Sequence, residues 1–336
     1  MARERCPVRP ADRPSERGAA LLTVLLLVAL IAVLAGTALE KLRLATRLGS
    51  NAVAMDQARA YSFAAETLAL TKVSDLLARD KSRVTLAGGW SGRPIPLPVP
   101  GGITTARVSD GGNCFNLNSL VIETTPGTYA AYTPARIQFA RLIRLVGGNS
   151  APAESIAAAV SDWIDSDTYP INQGAEDSAY AGQSTPYRTA NTLIADPGEL
   201  RAVAGVTPQI YAKLRPWICV LPIAKPSRIN VNTLLPEQAP LLAMLLPDTM
   251  SVEAARQALL QRPPQGYEST TAFWKVPSLG GTTPPPGAEE QTAITTGWFA
   301  LQVDVAVGGT ELEQHALIDA TELPARLAAR HWGEPS

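Results

Sequence analysis

Residues 19–39 read AALLTVLLLVALIAVLAGTAL, an uncharged run that at 1.5 Å per residue measures about 30 Å, the hydrocarbon thickness of a bilayer. It predicts a transmembrane helix. The stretch before it carries Arg3, Arg5, Arg9, Arg13 and Arg17 against Glu4, Asp12 and Glu16. This basic excess holds the N-terminus in the cytoplasm and places the bulk of the chain outside. A cleaved secretory signal would have an apolar core of only about 7–15 residues followed by a small-residue cut site, and the run here is too long for that. Beyond it, Glu40 to about Asp80 has few helix breakers and repeats apolar positions such as Leu42, Val53, Tyr61, Leu68 and Leu76 among charged and amide residues. One helix is expected to run from the membrane into the exported part.

Composition removes most function classes. The 336 residues carry a formal charge of −1, whereas a domain that tracks phosphates needs a clustered basic excess. The two histidines, His315 and His331, leave few candidates for acid–base or zinc chemistry. No enzymatic activity is expected. Cys6 lies ahead of the apolar run, which leaves Cys114 and Cys219 as an even pair in the exported part. These two are expected to be bridged.

GGWSGRPIPLPVPGG at 88–102 cannot continue a helix. The alternating run Ile103 to Val108 then begins a strand, and Asp110–Leu120, DGGNCFNLNSL, alternates apolar and amide side chains and reads as a turn and strand. Helical patterning follows around 134–146, 152–164 and 196–203. Strand signals return only in TGWFALQVDVAVGGTELEQHALIDA, 296–320, as two alternating runs about a Gly-Gly turn. The first sheet is thus completed late, after a long helical interruption.

The most chemically suggestive stretch is DWIDSDTYPINQGAEDSAY, 162–180. With Asp165 as position one, Asp167 falls at three and Glu176 at twelve, the spacing by which an EF-hand loop delivers carboxylates to calcium. Pro170 stands where that loop needs glycine, so a true EF-hand is excluded. Trp163, Ile164, Tyr169 and Tyr180 among the acids point to a partly buried loop, and buried carboxylates need a counterion. The expected oxygen ligands are Asp165, Asp167, Glu176 and Asp177, with no nitrogen or sulfur donor nearby. A glycosidase pair would need an aromatic cleft, and aromatics are only 6% of the chain.

The junction Glu16-Arg17-Gly18-Ala19-Ala20-Leu21-Leu22-Thr23 resembles a type IV prepilin leader, cut between Gly18 and Ala19. Most such subunits carry glutamate at the fifth mature position, where this chain has Thr23. That departure, the 110–120 segment and the Trp-Ile-Asp-x-Asp…Gly-Ala-Glu-Asp-x-x-Tyr pattern resemble the K-type minor pseudopilins of type II secretion. A buried carboxylate without a partner costs several kcal/mol, so a subunit with none above it gains by losing the charge. The resemblance implies an α+β fold in which a long pilin-like helix packs on a small antiparallel sheet and a large all-α domain is inserted between sheet strands. It sets the organisation as leader 1–18, transmembrane segment 19–39, pseudopilin helix and first strands 40–125, inserted domain 126–290, returning strands 291–325 and tail 326–336. It also implies structural calcium, a single-pass inner-membrane protein with a periplasmic C-terminal part, and a role in capping the pseudopilus and initiating its assembly. The implied partners are the minor pseudopilins I and J, the major pseudopilin G, the prepilin peptidase and the inner-membrane platform.

Glu199–Thr207, ELRAVAGVT, resembles a helix-hairpin-helix turn, and Ile229–Thr233 is a second echo. These make a membrane-anchored DNA-binding protein the alternative. Only Arg201, Lys213 and Arg215 are basic around the first hairpin, too few for useful counterion release, and no nucleic acid is expected.

Leader cleavage gives the first test. The purified chain should have an intact mass beginning at Ala19 with a methylated N-terminal amine, and a mature start beyond residue 39 would instead establish an ordinary signal peptide.

Overall fold

The computed structural model describes residues 14–147, 152–246, 251–280, 284 and 286–333; Cys6 lies outside them. Helix α1 (Pro14–Arg79) is continuous through the apolar run, and its membrane-length part is wholly exposed. From Ala54 onward one face turns inward through Ala54, Ala58, Ala65, Ala69, Val73 and Leu77, at the three- and four-residue spacing of an amphipathic helix. Four of those six are alanines, so the helix lies close against its sheet.

Strands β1 (Ile95–Val99) and β2 (Gly102–Asp110) form a hairpin. The Pro/Gly-rich segment thus supplies an edge strand, where Pro96 and Pro98 are tolerated because one side makes no ladder bonds. Between β2 and the late strands come β3 (Phe115–Asn116), β4 (Val121–Thr125), β5 (Thr128–Ala131), α2 (Thr133–Gly147), α3 (Ala153–Ile164), α4 (Asp177–Tyr180), α5 (Pro208–Leu214), β6 (Ile218–Cys219) and β7 (Ile229–Asn230). There follow α6 (Ala239–Ala243), α7 (Val252–Leu260), α8 (Thr270–Trp274), α9 (Pro286–Gln291) and β8 (Thr292–Ala293). The chain then completes the sheet with β9 (Trp298–Val307), β10 (Thr310–Asp319) and β11 (Arg326–Trp332), in the antiparallel order β1-β2-β9-β10-β11.

Two boundaries and one description differ from the sequence reading. The insertion begins just after β2 rather than at 126, because Phe115, Leu117, Leu120 and Val121 are buried in its core and not in that of the sheet. It is mainly helical rather than all-α, since three two-stranded pairs, β3–β6, β4–β5 and β7–β8, lie within it. Residues 326–332 are not tail but the fifth strand, which extends the sheet by pairing with β10; alternation there is masked by Arg326, Arg330 and His331.

The 110–120 segment is more than a turn and strand. A 3-10 turn at Leu117–Leu120 presents its amides inward. Asn116 Nδ2 donates to the carbonyls of Ile223 and Lys225, and Asn118 Nδ2 to those of Ile194 and Leu221. Asn113 Oδ1 accepts from Asn230 N–H at 2.8 Å. A buried backbone group left unpaired is costly, and these side chains satisfy loops that have no ladder of their own. Beside them Cys114 and Cys219 are bonded, with Cα atoms 5.8 Å apart, which fastens β3 to β6.

Under the sheet a polar cluster sets the register of α1. Glu66 accepts from Arg330 Nη2 at 2.7 Å and Nε at 2.8 Å, and from Gln314 Nε2 at 2.6 Å. Ser62 donates to Gln314 Oε1, and Arg330 also stacks on Phe63 with its guanidinium carbon 4.7 Å from the ring centroid. Removing one partner of a buried pair strands the other. Glu66→Ala should therefore destabilise the folded part beyond the apolar run by about 3 kcal/mol in urea titrations, whereas Asp56→Ala, in an exposed pair, should change it by less than about 0.5 kcal/mol.

Candidate metal centre

Helix α3 is apolar along most of its length and ends in two acids three residues apart, Asp162 and Asp165, both buried. Helical spacing puts them on one face. Asp165 N–H still donates to Ser161 C=O at 2.9 Å as the chain leaves the helix. The loop is then pinned to β5, because Ser166 N–H donates to Tyr129 C=O at 3.0 Å and Tyr129 N–H donates to Ser166 Oγ at 2.9 Å. It folds back so that Ile171 N–H donates to Asp162 Oδ1 at 3.3 Å. Gly174 packs so closely on Asp162 that a Cβ would overlap its carboxylate. The rings of Trp163, Tyr180 and Tyr187, with centroids 5.1–6.1 Å apart, wall the loop in.

Asp165, Asp167 and Glu176 converge, each offering an oxygen within 4.8 Å of the others. Asp177 does not join them. It starts α4 and turns to the 189 segment, accepting from Thr189 N–H and Oγ1 at 3.0 Å, with Arg188 Nε 3.8 Å away. Tyr169 is 80% exposed rather than packed in the loop. Asp162 is not among the three converging acids, but it lies on the same face of α3 as Asp165 and its charge acts on both Asp165 and Glu176. Its signal in the sequence is its place on the α3 face that also presents Asp165.

Three carboxylate oxygens here, Asp162 Oδ2, Asp165 Oδ1 and Glu176 Oε1, are buried without a hydrogen-bond partner. Burial first, and then the neighbouring acids Asp167, Asp162 and Glu176, push Asp165 up to about 7. Burial likewise raises Asp162 to about 6 and lifts Glu176 in the same direction, with Thr189 opposing the latter. Unpartnered buried carboxylates crowding one another are what a cation would relieve. The donors are all oxygen, which fits a hard divalent ion and not zinc. Asn191 Oδ1 is also buried and unpaired, and its own N–H bonds to Trp163 C=O at 3.0 Å.

The hairpin around Gly205 is built for packing. Gly205 has φ +82°, Leu200 and Val203 are buried, and Thr207 caps α5 by accepting from Ile210 N–H. Arg201 lies over Tyr211, and Lys213 Nζ donates to Gly147 C=O at 3.2 Å, so the basic side chains are directed at the protein itself. Nothing in this geometry supports the DNA-binding alternative.

Two family models described as type II secretion system (T2SS), protein K, match residues 113–223 and 229–296. The type II secretion system protein K of Pectobacterium carotovorum subsp. carotovorum is 35% identical over 96% of this chain and 98% of its own length. That of Klebsiella pneumoniae is 34% identical over 95% and 97%. Among solved structures, the GspK-GspI-GspJ complex of the enterotoxigenic Escherichia coli type 2 secretion system matches with TM-score 0.72 and 32% identity, covering 83% of this chain and 96% of the matched one.

The raised carboxylates make metal-free stability fall as pH rises. Asp162 and Asp165 have ordinary values of 3.8 and folded values of about 6 and about 7, so between these limits the folded state holds more protons than the unfolded one. In excess chelator, melts should show this contribution intact below about pH 4 and lost by about pH 7. Asp165→Asn should flatten the profile and raise the metal-free melting temperature at neutral pH.

Proposed function

The chain belongs to the type II secretion system protein K family, and from that premise we propose that it occupies the membrane-distal tip of the pseudopilus and starts its assembly. The carrying observation is where the insertion leaves the pilin-like body. Gly308, at the β9–β10 turn, lies beside Ala54 of α1, while Trp298 and Thr296, at the other end of β9, line the same cavity as Leu77 near the end of α1. About 60 Å of helix separates Leu39 from Arg79, so the β2–β9 end from which the insertion grows faces away from the membrane. A bulky unit at that end supports a subunit with nothing stacked above it. Thr23 Oγ1 donates to Ala20 C=O at 2.9 Å, which makes the position neutral and satisfied within its own helix and supports a subunit that needs no neighbour's amine there.

The role is structural. The apolar helix supports anchoring in the inner membrane with the N-terminus cytoplasmic and the remainder periplasmic, after cleavage between Gly18 and Ala19 by the prepilin peptidase. Likeness to the GspK-GspI-GspJ complex supports the I and J counterparts as direct partners, with the major pseudopilin G below and the inner-membrane platform as assembly site. The full-length chain should co-purify with I and J in detergent, and antibody against the insertion should label one end of pseudopili; labelling along their length would refute the tip position.

Calcium, held by Asp165, Asp167, Glu176 and Asp162, is proposed as the structural ion. When bound it supplies positive charge that neutralises the buried carboxylates and fixes the loop between α3 and α4. Calcium at a hundredfold excess over Kd should stabilise the chain by about 2.7 kcal/mol. Asp165→Asn combined with Glu176→Gln should abolish that gain in melts with calcium against chelator, and Asp177→Asn should retain most of it.

A further inference from the structure

A cavity of about 760 Å³ opens where the end of α1, the 221–228 loop and the β10–β11 connection meet, within the range of about 300–1,000 Å³ of ligand-binding clefts. Its floor is apolar, made by Leu77, Leu221, Ile223 and Trp298. Three cations, Lys81, Lys225 and Arg228, line it, and no aspartate or glutamate does. All three are exposed, and among the described residues none of their side chains has a salt bridge or hydrogen bond. Of the acids on the same elements, Asp80 and Asp319 are engaged elsewhere, and Glu322, on the β10–β11 connection, is exposed and not among the lining residues. Asp80 accepts from Ser82 at 2.8 Å and lies 3.5 Å from Arg83, and Asp319 accepts from Thr321 at 2.9 Å. Asp110, behind the wall, accepts from Thr233, Thr296 and Gly112.

We propose that this cleft docks an extended segment of a second protein chain in which an apolar side chain is flanked by carboxylates. Charge complementarity selects the occupant. Like-signed cations left unpaired around a low-dielectric floor focus a field that attracts anions and repels basic segments. The floor offers an aliphatic or aromatic side chain a place to bury, which a bare inorganic anion would not use. Anionic lipid is out of reach, because α1 carries the cleft about 60 Å from the end of the membrane run. Thr295, half-buried in the lining, offers a hydroxyl to the backbone of an incoming strand. The site is separate from the acidic loop and does not depend on the tip assignment.

The test uses the full-length chain in non-ionic detergent and a fluorescein-labelled nonapeptide with a central leucine flanked by glutamates. Matched peptides replace the glutamates with glutamine or lysine, or the leucine with serine. Fluorescence anisotropy at low salt should show the glutamate peptide binding about tenfold tighter than the glutamine one, with the advantage shrinking as salt rises, and the serine peptide weakened. The triple variant K81E/K225E/R228E, with an unchanged melting temperature, should reverse the preference towards the lysine peptide. Should the triple variant not fold, Lys225→Glu alone, on an exposed loop, should still lower affinity for the glutamate peptide. Equal binding of glutamate and glutamine peptides, or a preference that survives charge reversal, overturns the proposal. Two further outcomes also overturn it. Displacement by inorganic phosphate with no penalty for losing the leucine would make the cleft a simple anion site, and light scattering that shows charge reversal dispersing an oligomer would make it a contact between copies of this chain.

Discussion

Everything beyond the apolar run depends on one antiparallel pairing, β2 with β9, in which Gly102 faces Val307 at one end and Asp110 faces Phe299 at the other. It joins segments with the entire insertion between them, and it builds the surface against which the alanine face of α1 packs. Closing a loop of that length costs entropy, though the cost grows only logarithmically with length. The insertion reduces the effective loop by being folded itself. Its two ends are held together by direct bonds: Gly111 N–H donates to Trp298 C=O at 2.9 Å and Asp110 accepts from Thr296. The sheet therefore receives the insertion as a pre-closed body, and its own ladder has only to bridge a short gap.

The parts legible in the sequence are those governed by a single period. The membrane run, the 3.6-residue pattern that carries α1 onward and the two-residue alternation of β2, β9 and β10 each follow from one local rule, and α3 with its terminal acids follows from another. What stayed hidden was decided by tertiary contact. β11 carries Arg326, Arg330 and His331 because it is an edge strand and because Arg330 reaches Glu66 beneath the sheet, so its composition reads as a polar tail. The asparagines of 113–118 look like turn residues until the loops they satisfy are folded around them. The three-residue offset of Asp162 from Asp165 was visible, but which of Asp162 and Asp177 faces the other acids depends on how the chain turns after Ile171, and no spacing rule specifies that.

The acidic loop and the polar cluster under the sheet solve one electrostatic problem in opposite ways. Glu66 is buried with its cation built in, on the neighbouring β11, so its charge is settled by folding alone. Asp162, Asp165 and Glu176 are buried with backbone donors and a threonine but without an equivalent arginine, which leaves their charge to be settled from solution. The first arrangement is constitutive; the second lets the surrounding medium decide how firmly α3 and α4 are joined.

The late return of the sheet has a consequence for the order of events as the chain is made. β2 is made early and is guarded on one side only, by the proline-bearing β1, so its other edge stays open until β9 arrives. An unpaired edge invites association with other chains, and long-range pairing is slow to form. Cys114 and Cys219 both precede β9 and lie within the insertion, so their bond can close while the edge is still waiting. The covalent link thus fastens the body that must be complete before the last strands can find their place, and the interval between the two is when the nascent protein is most exposed to misassembly.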